Sequence, residues 1–189
     1  MSLSLPEPSP TLTDPADLLL QYLGFYRSEV LRKIAGLGED DLRASRLPSG
    51  WSPLELLSHL VHMERRWLVW GFAGERLDRP WGDQDEDGRW HVPPEVTVQE
   101  LGSALVAGAQ RTHAIVAAAR LTDHALVGGR FASEPTPTLS WILFHVLQEY
   151  ARHAGHLDVA RELVDGFVGE DPEAPSSPAD EQVWPEGSR

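Results

Sequence analysis

The chain has no cysteine in its 189 residues. That excludes disulfide bonds, thiolate metal ligands and a cysteine nucleophile, and it is compatible with a reducing compartment. Lysine is nearly missing as well. Lys33 is the only one, and 16 basic residues stand against 29 acidic ones, for a formal net charge of −13. Nucleic-acid binders draw much of their affinity from a basic face that neutralises phosphates. This balance therefore argues against a nucleic-acid partner. No apolar run approaches the roughly 20 residues that span a bilayer. The opening MSLSLPEPSPTLTDP has neither a basic n-region nor an apolar h-region, so it does not read as a signal peptide. These absences lead to the expectation of a cytoplasmic protein with no membrane partner. Also missing are a glycine-rich phosphate loop, a dinucleotide fingerprint, a G-x-S-x-G nucleophile elbow and any internal repeat.

What remains is 41% hydrophobic content, enough for one domain with a real core. Residues 1–12 hold three prolines and read as a flexible N-terminal arm. Residues 169–189 are acidic and rich in Pro and Ser. They cannot bury enough surface to offset their ordering entropy, so a flexible tail is expected. Trp184 is the one residue in that tail suited to docking on the body or on a partner chain. The domain between them is expected over 13–168.

Four helices are predicted within it. The first follows Asp14-Pro15, with Leu19, Leu23, Tyr26, Val30 and Ile34 at spacings of three and four and Gly38 as a stop. The second opens on Ser52-Pro53-Leu54-Glu55, a capping box, and runs to about Phe72. The third opens on a second capping box, Thr97-Val98-Gln99-Glu100. The fourth runs from about Thr138 to Gly166. Strand signals are thin, and Val127–Phe131 reads as a loop or a brief extended piece. The connection over 74–96 carries Trp81, Trp90 and Pro93-Pro94 and is long for a compact domain. A crossover along the helices is one use for it. The fold class expected is all-α, a four-helix bundle.

Two of these helices turn chemically active groups inward. On the fourth, Ile142, Val146, Glu149, His153 and Ala160 form one stripe, so a carboxylate and an imidazole occupy the inner face one turn apart. On the second, Leu56, His59, Met63 and Trp67 step by three, four and four, which places His59 inward too. A buried carboxylate persists only when paired, hydrogen-bonded or bound to metal. Bundles build metal sites from side chains on facing helices in this manner. Two imidazoles and one carboxylate leave coordination positions open, a set accepted by zinc, iron, nickel or manganese. The plainer readings are a hydrogen-bonded core histidine at His59 and a Glu149 paired with Arg152 or an arginine of another helix. Among the other histidines, His156 lies three residues past His153, His145 one turn before Glu149, and His62 beside the stripe. His91, His113 and His124 read as surface or loop residues, and Trp51, Trp67, Trp70 and Trp141 as packing residues.

Three features carry a family resemblance: SGWSPLELLSHLVHMERRW around the second helix, TLSWILFHVLQEYARHAGHLDVARELVDG along the fourth, and the helix order. Over roughly residues 14–166 the chain resembles the DinB-like superfamily of metal-binding four-helix bundles. Its branch looks like the mini-circle proteins and is similar to mycothiol-dependent maleylpyruvate isomerase. The superfamily's W-S-x-x-E-x-x-x-H-L pattern falls on Trp51 to Leu60 and implies His59 as a ligand. The aligned pair on the fourth helix is Glu149 and His153. Many members have a histidine at the first of these and an H-R-G-Q sequence at the second, where this chain has His-Ala-Gly-His. The glutamate matches the isomerase-like branch.

The resemblance also implies an up-down-down-up order, a homodimer and a divalent metal, zinc first among nickel, iron and manganese. It further implies a metal-activated low-molecular-weight thiol such as mycothiol, acting on a small-molecule electrophile by S-transfer or isomerisation. With no cysteine of its own, the chain would need that thiol from outside. His156 and Arg152 are the candidate helpers near the metal. The competing expectations are metal-assisted hydrolysis and a non-enzymatic metal- or ligand-binding stress protein.

Overall fold

Each long helix starts where a side chain can satisfy open N–H groups of its first turn. The computed structural model describes residues 7–167. In it Asp14 accepts from the N–H groups of Ala16 and Asp17 ahead of α1 (Pro15–Ile34). Ser52 and Glu55 close the capping box of α3 (Pro53–Arg65), and Thr97 and Glu100 close that of α4 (Val98–Ala117). Thr138 caps α5 (Leu139–Asp165), which ends on Gly166 in the left-handed region at φ 76°. The first helix ends earlier than its Gly38 stop suggested. Gly38 instead begins a short α2 (Glu39–Arg43), whose first turn carries three acids.

Past α3 the chain continues helically to Phe72 but widens, with Arg66–Phe72 wound as a π-helix. Carbonyls at the end of a helix have no partner within it. Here Trp70 O accepts from Arg130 N at 3.1 Å and Phe72 O from Leu126 N at 3.0 Å. The 126–131 loop is thereby fastened to the end of the π segment. Among the described residues there is no β-strand. Isolated bridges join Gln84 to Trp90, His124 to Thr138 and Val127 to Phe131. None of the described helices is long and apolar enough to cross a membrane. The tail 169–189, with Trp184, and residues 1–6 of the arm lie outside the described residues.

The four long helices share one core. Leu23 and Val30 of α1, Leu57 and Leu60 of α3, Leu105 of α4, and Ile142 and Val146 of α5 are all at most 1% exposed. Each such side chain contributes roughly 1.5–3 kcal/mol of burial. Within this apolar core a carboxylate ties the helices together. Glu64 of α3 accepts from Arg27 of α1 at 2.5 and 3.1 Å and from Tyr150 Oη of α5 at 2.6 Å, and also from Thr112 Oγ1 of α4. One buried acid thus bonds to the other three long helices. Burial and the nearby Glu64 both hold the Tyr150 phenol well above its ordinary pKa. Toward the far ends of α1 and α5, Lys33 pairs with Asp158, and Arg161 Nη1 donates to the carbonyls of Lys33 and Ala35.

Candidate metal centre

The inner faces of α3 and α5 meet at His59, Glu149 and His153. Each offers one donor atom, and the three atoms lie within 4.8 Å of one another. His153 Nε2 is 3.3 Å from Glu149 Oε2, and His59 Nε2 is 3.7 Å from the same oxygen. His153 is buried, and the other two side chains are 13% and 20% exposed, so the cluster sits at the core's edge within reach of solvent. A tetrahedral zinc site with bonds of about 2.0–2.1 Å has ligand–ligand edges of about 3.3–3.4 Å. The donor spacing and the chemistry of this set fit a divalent cation.

The orientation of His59 adds to that fit. Its Nδ1 lies 3.1 Å from Asp83 Oδ2, and Asp83 has no solvent exposure. An ionised carboxylate only accepts, so Nδ1 donates, and once the ring is neutral the lone pair of Nε2 turns toward Glu149. Arg66 fixes Asp83 in turn, through Nη1 to Oδ1 at 2.6 Å and Nη2 to Oδ2 at 3.1 Å. Carboxylates that orient a histidine from behind are a regular part of metal sites. Trp90 covers the ring, stacked on His59 with centroids 4.3 Å apart. Asp83 and Trp90 both come from the 74–96 connection, so that segment forms one wall of the site.

The electrostatics follow from these contacts. Hydrogen bonds from His153 and His59 hold the Glu149 carboxyl far below the ordinary carboxylate range, against the opposing effect of burial. Burial works against a charged His59, yet its bonds to Asp83 and Glu149 raise its pKa above the ordinary value. Burial would raise Asp83 as well, but His59 and Arg66 overcome it and the carboxyl stays ionised.

Around the cluster, His145 Nε2 is 3.9 Å from Glu149 Oε1, and its pKa is lowered by burial. His156 places Nδ1 3.3 Å from His153 Nδ1 and lies 6.0 Å, centroid to centroid, from Trp51. Burial, His153 and Arg152 all lower its pKa. Arg152 itself is exposed, and the recorded partners of Glu149 are histidines. His62 faces the backbone of Gly82. His91, His113 and His124 are exposed. Trp141 departs from the packing role read for it: it is 52% exposed, stacked on His145 with the rings 2° from parallel. Two cavities are lined by residues that touch the cluster, His145 in one and Trp90 in the other. One of about 510 Å³ lies between α1 and α5 and includes His145, Trp141 and Tyr26; one of about 390 Å³ includes Trp51, Trp90 and Glu55.

Asp83, Trp90, Arg66 and Glu64 are the residues that helix periodicity did not bring forward. For Glu64 the signal exists, since Leu57, Val61 and Leu68 step around it by four, three and four. Asp83 carries none, being one acid among several in an acidic loop. Only closure of the loop over α3 distinguishes it.

The family described as mycothiol-S-transferase matches residues 18–166, most of the chain. No curated protein gave a significant match. Among solved structures, a conserved protein from Enterococcus faecalis is similar in fold, with a TM-score of 0.60 and 18% identity. The match covers 82% of this chain and 99% of that one.

Proposed function

We propose that this chain, which belongs to the mycothiol-S-transferase family of the DinB-like superfamily, is a divalent-metal-dependent enzyme that joins a mycothiol-type thiol to a small electrophile. The observation that carries the reading is the convergence of His59 Nε2, Glu149 and His153 Nε2, with Asp83 holding the His59 proton on the far nitrogen. These three residues would hold the ion, zinc by donor chemistry. When bound, a divalent ion lowers the pKa of a thiol as it does that of water.

The remaining work falls to the chain itself. Asp83 and Arg66 keep His59 in one tautomer. Trp90 shields the donors, stacked on His59 and edge-on to His153. His156, beside His153 and open toward Trp51, would take the proton released by the thiol. The sulfur forms the new C–S bond. At a substituted carbon the leaving group departs with its bonding electrons, and at an activated double bond the neighbouring carbon takes up a proton instead. Arg152, exposed beside His156, contributes charge at the rim. Two cavities beside one cluster suit a reaction with two reactants.

The fold we read for this site is an up-down-down-up four-helix bundle spanning 13–168. Support comes from the pairings along the helices. Tyr22 lies near Phe144 and Lys33 near Asp158, so α1 and α5 run in parallel. His59 meets His153 while Trp67 meets Trp141, so α3 and α5 are antiparallel. A cytoplasmic homodimer is the state proposed for the enzyme.

The test is direct. Protein loaded with zinc, nickel, manganese or iron(II) is assayed for loss of mycothiol against a panel of electrophiles, with and without thiol. Thiol-dependent turnover that disappears in Glu149→Ala supports the reading. Turnover without thiol identifies a hydrolase, and metal binding with no turnover identifies a binding protein; either outcome ends it.

A further inference from the structure

Among the described residues, every buried or half-buried arginine but one is paired with an acid. Arg27 is paired with Glu64 and Arg66 with Asp83. Arg130 is the exception. It is half-buried, and among the described residues it has no recorded carboxylate partner. Its guanidinium carbon lies 4.2 Å above the centre of Trp67 and 5.6 Å from that of Trp81. Burial and Arg66 both lower its pKa, and no acid opposes them. Taking a cation partly out of water without a counter-charge is unfavourable. An aromatic face offsets only part of that, about 0.5–2 kcal/mol.

The position of Arg130 is built into the fold. Its N–H is bonded to Trp70 O, and Gly128 N–H to Phe131 O. Gly129 runs so close to Trp70 and Gly74 that a β-carbon there would overlap their backbone. From Arg130 a row of groups leads to the donor cluster. Trp67 lies under the guanidinium, His145 is 4.2 Å from Trp67 by ring centroids, and His145 Nε2 is 3.9 Å from Glu149 Oε1. Arg130 is near enough for its charge to lower the His145 pKa. Trp141 flanks the row at 5.7 Å from Trp67.

We infer that Arg130 is the anion-recognition residue of this site, taking the carboxylate of an aromatic acid whose ring lies against the exposed Trp141 and whose other end points toward Glu149. The inference rests on the proposed function for its statement of where reaction occurs. Guanidinium suits it because its planar fork matches a carboxylate with two bonds. Flat aromatic walls favour a flat ligand. The carboxylate belongs either to the electrophile or to the thiol.

Binding is measured by calorimetry on full-length, metal-free protein, so that no ion competes for the probe. Benzoate should bind at least tenfold tighter than benzamide. Arg130→Gln should reduce benzoate to the benzamide level, while Arg130→Lys keeps part of the preference. Both variants should melt within a few degrees of the parent. A second arm uses metal-loaded protein. The pair 4-chloro-3-nitrobenzoate and its amide, each with 2-mercaptoethanol, tests the electrophile. 4-Mercaptobenzoate against 4-mercaptobenzamide, each with the amide electrophile, tests the thiol. In whichever pair contains the recognised acid, Arg130→Gln should raise KM about tenfold for that acid and leave kcat nearly unchanged. Benzoate binding that is absent in the parent, or equal in parent and Arg130→Gln, overturns the inference. If benzoate binding depends on Arg130 but no thiol is consumed, the inference stands and the transferase reading falls.

Discussion

Replacing Asp83 by Asn should weaken metal binding without touching a donor atom. Asp83 accepts three bonds: Arg66 Nη1 on Oδ1, and Arg66 Nη2 with His59 Nδ1 on Oδ2. Asparagine has the same shape but one acceptor oxygen. With its nitrogen at the Oδ2 position, it meets two donors. His59 relieves that conflict by moving its proton to Nε2, the nitrogen aimed at Glu149, and a protonated nitrogen cannot bind an ion. With the nitrogen at Oδ1, His59 keeps its bond, but to a neutral and weaker acceptor, and Arg66 loses its charge partner. Changes to such outer groups cost about 10–100-fold in metal affinity, or about 1.4–2.8 kcal/mol. Breaking the buried Arg66–Asp83 pair costs the fold up to about 3–5 kcal/mol. The assay is a zinc competition titration against a chromophoric chelator, at a temperature where urea melts of chelated protein show both variants folded. An affinity within threefold of the parent, under conditions where Glu149→Ala abolishes binding, would refute the argument that Asp83 prepares His59.

Further expectations follow from the same contacts. Glu149→Ala should remove most metal binding, and chelating the parent should lower its Tm in scanning calorimetry, since an ion at 100 times its Kd adds about 2.7 kcal/mol. Tyr150→Phe deletes one of the donors to Glu64 and should cost about 1–3 kcal/mol in urea denaturation. Glu64→Ala strands Arg27 in the core and should cost about 3–5 kcal/mol. The pH dependence of the metal-free form has two parts. Glu149 and Asp83 have depressed pKa values, so their contribution is complete above the ordinary carboxylate range, about 4, and is lost as pH falls through the folded values. His59 has a raised value, so its contribution is present below about 6.5 and lost as pH rises through the folded value. Between pH 6 and 8 the metal-free protein should therefore lose some stability, while zinc affinity rises as protons leave His59. Parallel urea melts and zinc titrations check both slopes, and a His59→Ala variant should lack the first.

Helix starts were legible because capping is local. Ser52 with Glu55 and Thr97 with Glu100 lie within four residues of each other and need no tertiary context. The donor triad was legible because periodicity places a polar residue on an apolar stripe, and the stripes of α3 and α5 do meet. The end of α1 was less so, because Gly36 and Gly38 are both able to stop a helix. The π winding of Arg66–Phe72 left no mark in the residue pattern. It reflects how the segment packs and where the 126–131 loop takes its backbone bonds. Asp83 and Trp90 depend on a 23-residue connection folding back, and no local rule fixes where such a loop lands.

The Glu64 junction takes no part in the chemistry, yet it governs the spacing on which that chemistry depends. It lies five residues along α3 from His59, and its partner Tyr150 lies three residues along α5 from His153. Sliding either rod by one turn, about 5.4 Å, would tear Tyr150 from Glu64 as surely as it would part the imidazoles. The knot acts as a ruler, setting the gap between the two rods before any cation arrives to fill it.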